Sequence, residues 1–340
     1  MDQTQLLWDG LLNEFHALGG TAQNVRLGKG PPGRGLVPIV PAVPVRVHVP
    51  ESLLLPVHLA TIGNGVFRVS PDAPLGARAR SFFETYERHL SWGVQYRELL
   101  ELLTLLQDAS AEVRGLLETP FQAGAWLRGA RPEAIAERFF STRALDYKGT
   151  RVIAPMLDLI NHGLGPRFQS TNGMALQGQF AGEVVSRYGP TDPLGIFNGW
   201  GFASSCEFFA LSLGLHLRTS WGLLVIERAD HPVMEGGSGG FAPQVSISGD
   251  TMTLSHLLLG HKRFPKLSRG IFYRILREAG HDGAEETFDR IQYINRLACH
   301  QLAAAAESAA PALRRILRDL ARYQLLAMSY NVGASETVER

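Results

Sequence analysis

An asparagine and a histidine stand side by side at 161 and 162, closing the apolar run PMLDLINHG (155–163). Tyr188 ends a second apolar run, GEVVSRYG (182–189), and GWGF (199–202) comes after it. Asn and neutral His each carry a donor and an acceptor, enough to read the polar edge of an aromatic ring. A phenol can orient a reacting nitrogen or stabilise a charge that develops beside it. Metal chemistry does not fit, because no second His or carboxylate stands at ligand spacing from His162. Taken singly, each residue also has a plain reading: a structural His next to Asn, and a tyrosine at a core edge.

Three further strings belong with these. Gly33-Arg34-Gly35-Leu36 puts two glycines before an apolar stretch, where backbone can approach a ligand closely. A strand and not a helix comes next, so it is not a dinucleotide-binding fingerprint. Ser141-Thr142-Arg143 ends a helical stretch. Arg143 can pair bidentately with a carboxylate, or it can face the helix's own C-terminal dipole. Asp158 sits inside the first apolar run, and Phe168, Trp200 and Phe202 are aromatic candidates for the wall of a substrate channel.

The elements that must position them are read from periodicity. Trp8, Leu11, Leu12 and Phe15 predict an N-terminal helix. GKGPPGRGL (28–36) reads as a turn. Val43, Val45, Val47 and Val49 alternate as a strand with one buried face, and the prolines at 38, 41 and 44 argue for an edge or broken strand. From Ser81 to Glu118 the pattern is helical, with Leu99, Leu102, Leu103 and Leu106 on one face, and a second helix begins at Pro132. Val152–Ile160 and Val184–Arg187 read as strands, and Phe209–Leu217 alternates again. A glycine-rich stretch, 231–243, reads as a flexible loop, and the chain beyond it reads as mostly helical. Phe288, Ile291, Ile294 and Ala298 form one stripe, and Leu313, Ile316, Leu317 and Leu320 another.

Composition narrows the class. In 340 residues, 45% are hydrophobic and the net charge is +1, so neither a nucleic-acid surface nor an acidic tail is expected. Of the 33 basic residues only Lys29, Lys148, Lys262 and Lys266 are lysines, a bias read as genomic base composition rather than as a binding surface. Cys206 and Cys299 stand too far apart for a CxxC zinc site, and a disulfide framework is not expected. No signal peptide and no membrane-spanning run is visible, so a soluble cytoplasmic protein is expected.

The combined string, Pro-x-x-Asp-x-x-Asn-His, an apolar strand, Tyr188 and Gly201-Phe202, resembles the C-terminal half of a SET domain. It is most similar to the subfamily of the Rubisco large-subunit lysine methyltransferase and the actin-histidine methyltransferase. The resemblance implies an α+β fold: short strands with a pseudoknot, an inserted helical segment and a C-terminal helical domain. The boundaries it implies are an N-terminal SET half at 1–80, the insert at 81–140, a C-terminal SET half at 141–217, and a helical substrate-binding-like domain at 218–340. It implies an S-adenosyl-L-methionine (AdoMet)-dependent methyltransferase. Gly33, Arg34, Gly35, Arg143, Asn161 and His162 would hold the cofactor. Asp158 would organise the site beside the substrate channel, Tyr188 would act in transfer, and Phe168, Trp200 and Phe202 would shape the channel.

Three departures bear on the substrate. Trp200 replaces the tyrosine commonly found before Gly-Phe, Pro193-Leu194-Gly195 stands where Asn-Ala-Glu is usual, and the linker after His162 holds only Phe168. The histidine-methylating branch also lacks the first tyrosine. The expected activity is N-methylation of a protein lysine or histidine. The alternatives are a small molecule or peptide substrate in a biosynthetic pathway, and a SET-like binding module without turnover.

Overall fold

The computed structural model describes residues 3–30, 33–189, 191–228 and 241–331. Helix and sheet are both abundant, and the chain divides into two compact units, 1–101 with 131–189, and 102–130 with 190–340. Among the described residues, no helix is long and apolar enough to cross a membrane. No group of three or more His, Cys, Asp or Glu among them could hold a metal ion.

In the first unit the helix Gln3–Ala17 buries Trp8, Leu11 and Phe15 as the spacing predicts. The valine strand departs from expectation. Val45–Val49 is the central strand of a three-stranded antiparallel sheet, flanked by Thr21–Gln23 and Met174–Gly178. The prolines all precede it, so none removes a donor from its ladder. Val45, Val47 and Val49 are fully buried, whereas Val43 lies outside the strand and is 47% exposed. The stretch read as a turn at 28–36 contributes to two strands, Val25–Gly30 and Gly33–Pro38, paired antiparallel with Gly30 opposite Gly33.

The helical stretch after residue 76 is three helices, Ala77–Leu90, Trp92–Gln107 and Ala111–Glu118. The first break is at Ser91, whose backbone is not helical, and the second is capped by Ser110, which accepts from the Val113 N–H at 3.3 Å. Of the leucine stripe, Leu99, Leu103 and Leu106 are buried and Leu102 is half-buried.

The apolar run 152–160 is not one strand. Thr150–Ile153 is a strand, Leu157–Leu159 is a short 3-10 turn, and Asn161–His162 is a separate two-residue strand. Met156 makes the corner at φ 71°, ψ −42°, near the rare and strained γ-turn geometry. Its N–H is nonetheless satisfied, donating to the Tyr86 hydroxyl at 2.8 Å. Asn161–His162 then pairs in parallel with Val185–Ser186.

In the second unit the stretch Phe209–Leu217 is divided between two strands, Phe209–Leu211 and Leu215–Thr219. Residues 231–240 of the glycine-rich stretch lie outside the described residues. The expectation of a mostly helical remainder holds only from Leu267 onward. Before it, Val245–Ser248 and Thr251–Leu254 complete a four-stranded sheet with Leu215–Thr219 and Gly222–Ile226, and Leu258–His261 pairs with Phe209–Leu211. These strands are short and interrupted by turns, so they carry little period-2 signal. The helices Leu267–Glu278, Ala284–Ala305 and Pro311–Ser329 complete the unit. Phe288, Ile291 and Ala298 are buried on one stripe, and Leu313, Leu317 and Leu320 on the other.

Candidate active site

Gly33, Arg34 and Gly35 open the strand Gly33–Pro38. A Cβ at Gly35 would stand 2.6 Å from Glu183 Oε1 and 2.7 Å from Asn161 Nδ2, closer than side-chain carbons pack. The missing side chain therefore lets the Asn161 amide reach across. Asn161 Nδ2 donates to the Arg34 carbonyl at 3.2 Å and to Glu183 Oε1 at 2.5 Å. Glu183 has its pKa raised by burial, against which the Asn161 bond pulls it down.

His162, 7% exposed, accepts the Tyr188 N–H on Nδ1 at 3.3 Å, and the two rings meet edge to face with centroids 5.2 Å apart. Since Nδ1 accepts, the neutral ring carries its proton on Nε2. The Tyr188 hydroxyl donates to the Ile160 carbonyl at 2.7 Å. Burial pushes its pKa up to about 12 although the ring keeps a solvent-accessible rim. Tyr188 is thus a neutral hydroxyl throughout the physiological range, suited to orienting a partner and not to removing its proton.

Arg143, in the last turn of Pro132–Arg143, does not turn back on its own helix. Its guanidinium donates to the Asp158 carbonyl and to Gln95 Oε1. Arg34 donates to the Leu90 carbonyl, and burial holds its pKa below the usual arginine value. A guanidinium carries five donors, so each has donors beyond these bonds. Neither forms an ion pair within 4.0 Å among the described residues. Two half-buried cations on this side of the site suit an anionic group such as a carboxylate, and that donor set fits the methionine end of AdoMet.

Asp158 is placed differently from the expectation of a channel residue. It is 4% exposed, and its two oxygens accept from the Tyr86 hydroxyl and from Ser91 Oγ, the latter at 2.7 Å. It therefore ties the 3-10 turn Leu157–Leu159 to the junction of the helices Ala77–Leu90 and Trp92–Gln107. Burial raises its pKa against the pull of Arg143.

Glu87 lies in the same buried cluster, fully inaccessible. Its Oε2 accepts the Trp92 N–H at 3.3 Å, and its Oε1 has no hydrogen-bond partner among the described residues. Burial, and then the charge of Asp158, push its pKa up to about 8. Neither Tyr86, Glu87 and Ser91 nor Gln95 and Glu183 belong to any motif. Only the polar residues on a leucine-rich helical run hint at the first four.

The Glu87 cluster makes stability depend on pH in a definite direction. The unfolded carboxyl releases its proton near 4.5 and the folded one near 8. Between these values the native state binds the extra proton, so the stability present below about 4.5 is lost as pH rises toward 8. Glu87→Gln mimics the protonated form and removes that loss. Thermal melts should show the variant's advantage over wild type growing from pH 5 to 8 and levelling off beyond. An advantage independent of pH would mean that Glu87 is not the group that titrates.

Phe168 is half-buried in the first unit, in the stretch between Asn161–His162 and Met174–Gly178. Trp200 and Phe202 belong to the second unit. Trp200 is the last residue of the helix Pro193–Trp200, and Gly201 caps it at φ 79°. A Cβ there would stand 2.8 Å from both Leu102 and Trp126 side-chain carbons, which accounts for the glycine before Phe202. Pro193-Leu194-Gly195 forms the first turn of that helix behind Asp192. The buried Asp192 carboxylate accepts from the Gly195 N–H at 2.8 Å, the Leu211 N–H at 2.9 Å and Gln324 at 3.0 Å, and pairs with Arg228.

No family model matches the chain, and no curated protein does. Among solved structures it is similar to Rubisco LSMT bound to sinefungin and monomethyllysine, at 13% sequence identity and a TM-score of 0.43, over 97% of this chain and 90% of the other.

Proposed function

We propose that the protein is an AdoMet-dependent N-methyltransferase acting on a protein lysine or histidine. The observation that carries the reading is the meeting, in one unit, of motifs far apart in sequence. The Gly33–Gly35 strand start lies against Asn161, Asn161–His162 pairs with the strand that leads to Tyr188, and Arg143 reaches the Asp158 carbonyl. The pseudoknot implied by the resemblance belongs to this reading, and the parallel pairing of 161–162 with 185–186 supports it. A substrate-binding role for the C-terminal domain and a cytoplasmic setting belong to it as well.

Bound AdoMet supplies an electrophilic methyl group on a sulfonium. In this reading Arg34 and Arg143 hold its carboxylate, while Asn161, His162 and the backbone of Gly33–Gly35 hold and orient the rest. Asp158 acts indirectly, by fixing the turn that carries Asn161 and the carbonyl that Arg143 grips. Tyr188 keeps its proton, so it orients the attacking nitrogen and does not deprotonate it. The nitrogen must arrive neutral, which is costly for a lysine near pKa ~10.4 and slight for an imidazole near ~6.5. Labelled AdoMet incubated with host lysate, then resolved into protein and small-molecule fractions, tests the assignment. Label on protein lysine or histidine is expected, and label confined to small molecules would refute it.

The family resemblance, and not a described contact, gives Trp200 a channel-wall role, and that role bears on the choice between those two side chains. An indole offers one donor and no acceptor. It gives a protonated amine a cation–π contact of roughly 0.5–2 kcal/mol but nothing to orient its lone pair once neutral. Trp200→Tyr is therefore expected to raise activity on lysine peptides relative to the native substrate. Efficient lysine methylation by wild type that the substitution leaves unchanged would contradict this part of the reading.

A further inference from the structure

The strand Val245–Ser248 forms one edge of the four-stranded sheet of the second unit, and all four of its residues are exposed. Natural edges are usually blunted by a charge, a proline or a bulge. This one reads Val-Ser-Ile-Ser, without any of the three, and its ladder to Thr251–Leu254 is regular. Val245 and Ile247 lie opposite Leu254 and Met252, which are 0% and 1% exposed. Paired residues share a face, so the apolar face of the sheet runs past the core onto this edge, where Val245 is 43% and Ile247 56% exposed.

The ladder shows which backbone groups are available. The Ser255 N–H donates to the Gln244 carbonyl at 3.0 Å, which makes that opposed pair a hydrogen-bonded one. Hydrogen-bonded pairs alternate in an antiparallel ladder. Gln244, Ser246 and Ser248 therefore bond inward, and the N–H and C=O groups of Val245 and Ile247 point away from the sheet.

We propose that this edge pairs with the same edge of a second copy of the chain, about a two-fold axis through Ser246. In that register Val245 of each copy faces Ile247 of the other. Both residues have outward-pointing groups, so each pair exchanges two hydrogen bonds. The two neighbouring registers are poorer. Pairing Ile247 with itself sets Val245 against Gly249, a turn glycine at φ 60°. Pairing Val245 with itself sets Ile247 against Pro243, which has no N–H. The chosen register also brings the Val245 and Ile247 side chains of both copies together on one face, where they extend both apolar faces into one. It joins two four-stranded sheets into one of eight strands.

Sedimentation velocity of the full chain over a micromolar concentration series tests this, with circular dichroism to verify that each variant folds. Wild type should sediment as a dimer. Ile247→Lys, at an exposed position, should fold and sediment as a monomer. Ser246 on the axis forms the pair that is not hydrogen-bonded, with Cα atoms about 4.5 Å apart, within the span of a disulfide. On a Cys206→Ser background, Ser246→Cys should therefore form a disulfide-linked dimer on mild oxidation, and Ile247→Cys should not. A wild type that stays monomeric overturns the proposal and leaves the edge to a strand from another protein. A dimer that persists in Ile247→Lys, or that links through position 247 and not 246, overturns it equally.

Discussion

Replacing Tyr188 with phenylalanine is expected to lower methyl-transfer turnover by about 10² or more and to leave AdoMet affinity nearly unchanged. The substitution keeps the ring against His162 and deletes one hydroxyl, the one that donates to the Ile160 carbonyl at 2.7 Å. That carbonyl belongs to the residue before Asn161, so the hydroxyl sits at the start of the Asn161–His162 strand. If the hydroxyl acts by orienting a nitrogen as the transition state forms, the loss falls on turnover and not on binding. The pH profile separates this role from base catalysis. With its pKa near 12, Tyr188 does not titrate in an ordinary assay range, and the rise of rate with pH should track the substrate nitrogen in both wild type and Tyr188→Phe. Equal losses in affinity and turnover would make Tyr188 a structural residue.

The second large effect is expected at Asn161. Asn161→Ala should weaken AdoMet binding by about 2 kcal/mol or more, close to thirtyfold. The amide is the link between the Arg34 carbonyl and Glu183, and removing it leaves both acceptors short of a partner in a partly buried site. The backbone of Gly33–Gly35 then loses the group that fixes it. His162→Ala should act in the same direction, because it removes the acceptor that Nδ1 offers the Tyr188 N–H and the ring that packs on Tyr188. Calorimetric titration of each variant measures the loss directly. Affinity unchanged in both variants would place the cofactor elsewhere.

The parts of the site legible in the sequence are those whose residues are rare in combination. Asn161-His162, Tyr188 and the Gly33–Gly35 string stand out because each breaks an apolar run or precedes one. Their meeting depends on a parallel pairing only two residues long, which has no periodic signature. The buried polar layer beneath is not legible. Tyr86, Glu87 and Ser91 sit on an ordinary amphipathic helix and the break after it, where charged and polar residues are expected on the outer face. Only the fold shows that Tyr86 and Ser91 turn inward onto Asp158. Position in the ladder is also hidden. The prolines at 38, 41 and 44 argue for an edge, but they end where the strand begins, and Val45–Val49 is central.

The same limit explains the second unit. Helices of 19 and 22 residues announce themselves by their stripes, and Ala284–Ala305 and Pro311–Ser329 lie where the stripes put them. The strands before them are four or five residues long and tightly turned, too short for alternation to be read. Asp192, which caps one helix and gathers partners from three other segments of its unit, gives no sign in the sequence beyond preceding a proline.

The central claim is that the Gly33–Gly35, Arg143, Asn161 and His162 cluster holds AdoMet. Isothermal titration of the purified protein with AdoMet, and with its demethylated product, tests it most directly. Saturable binding of one molecule per chain is predicted, weakened about thirtyfold by Asn161→Ala. The absence of heat and of any thermal shift with either compound would contradict it.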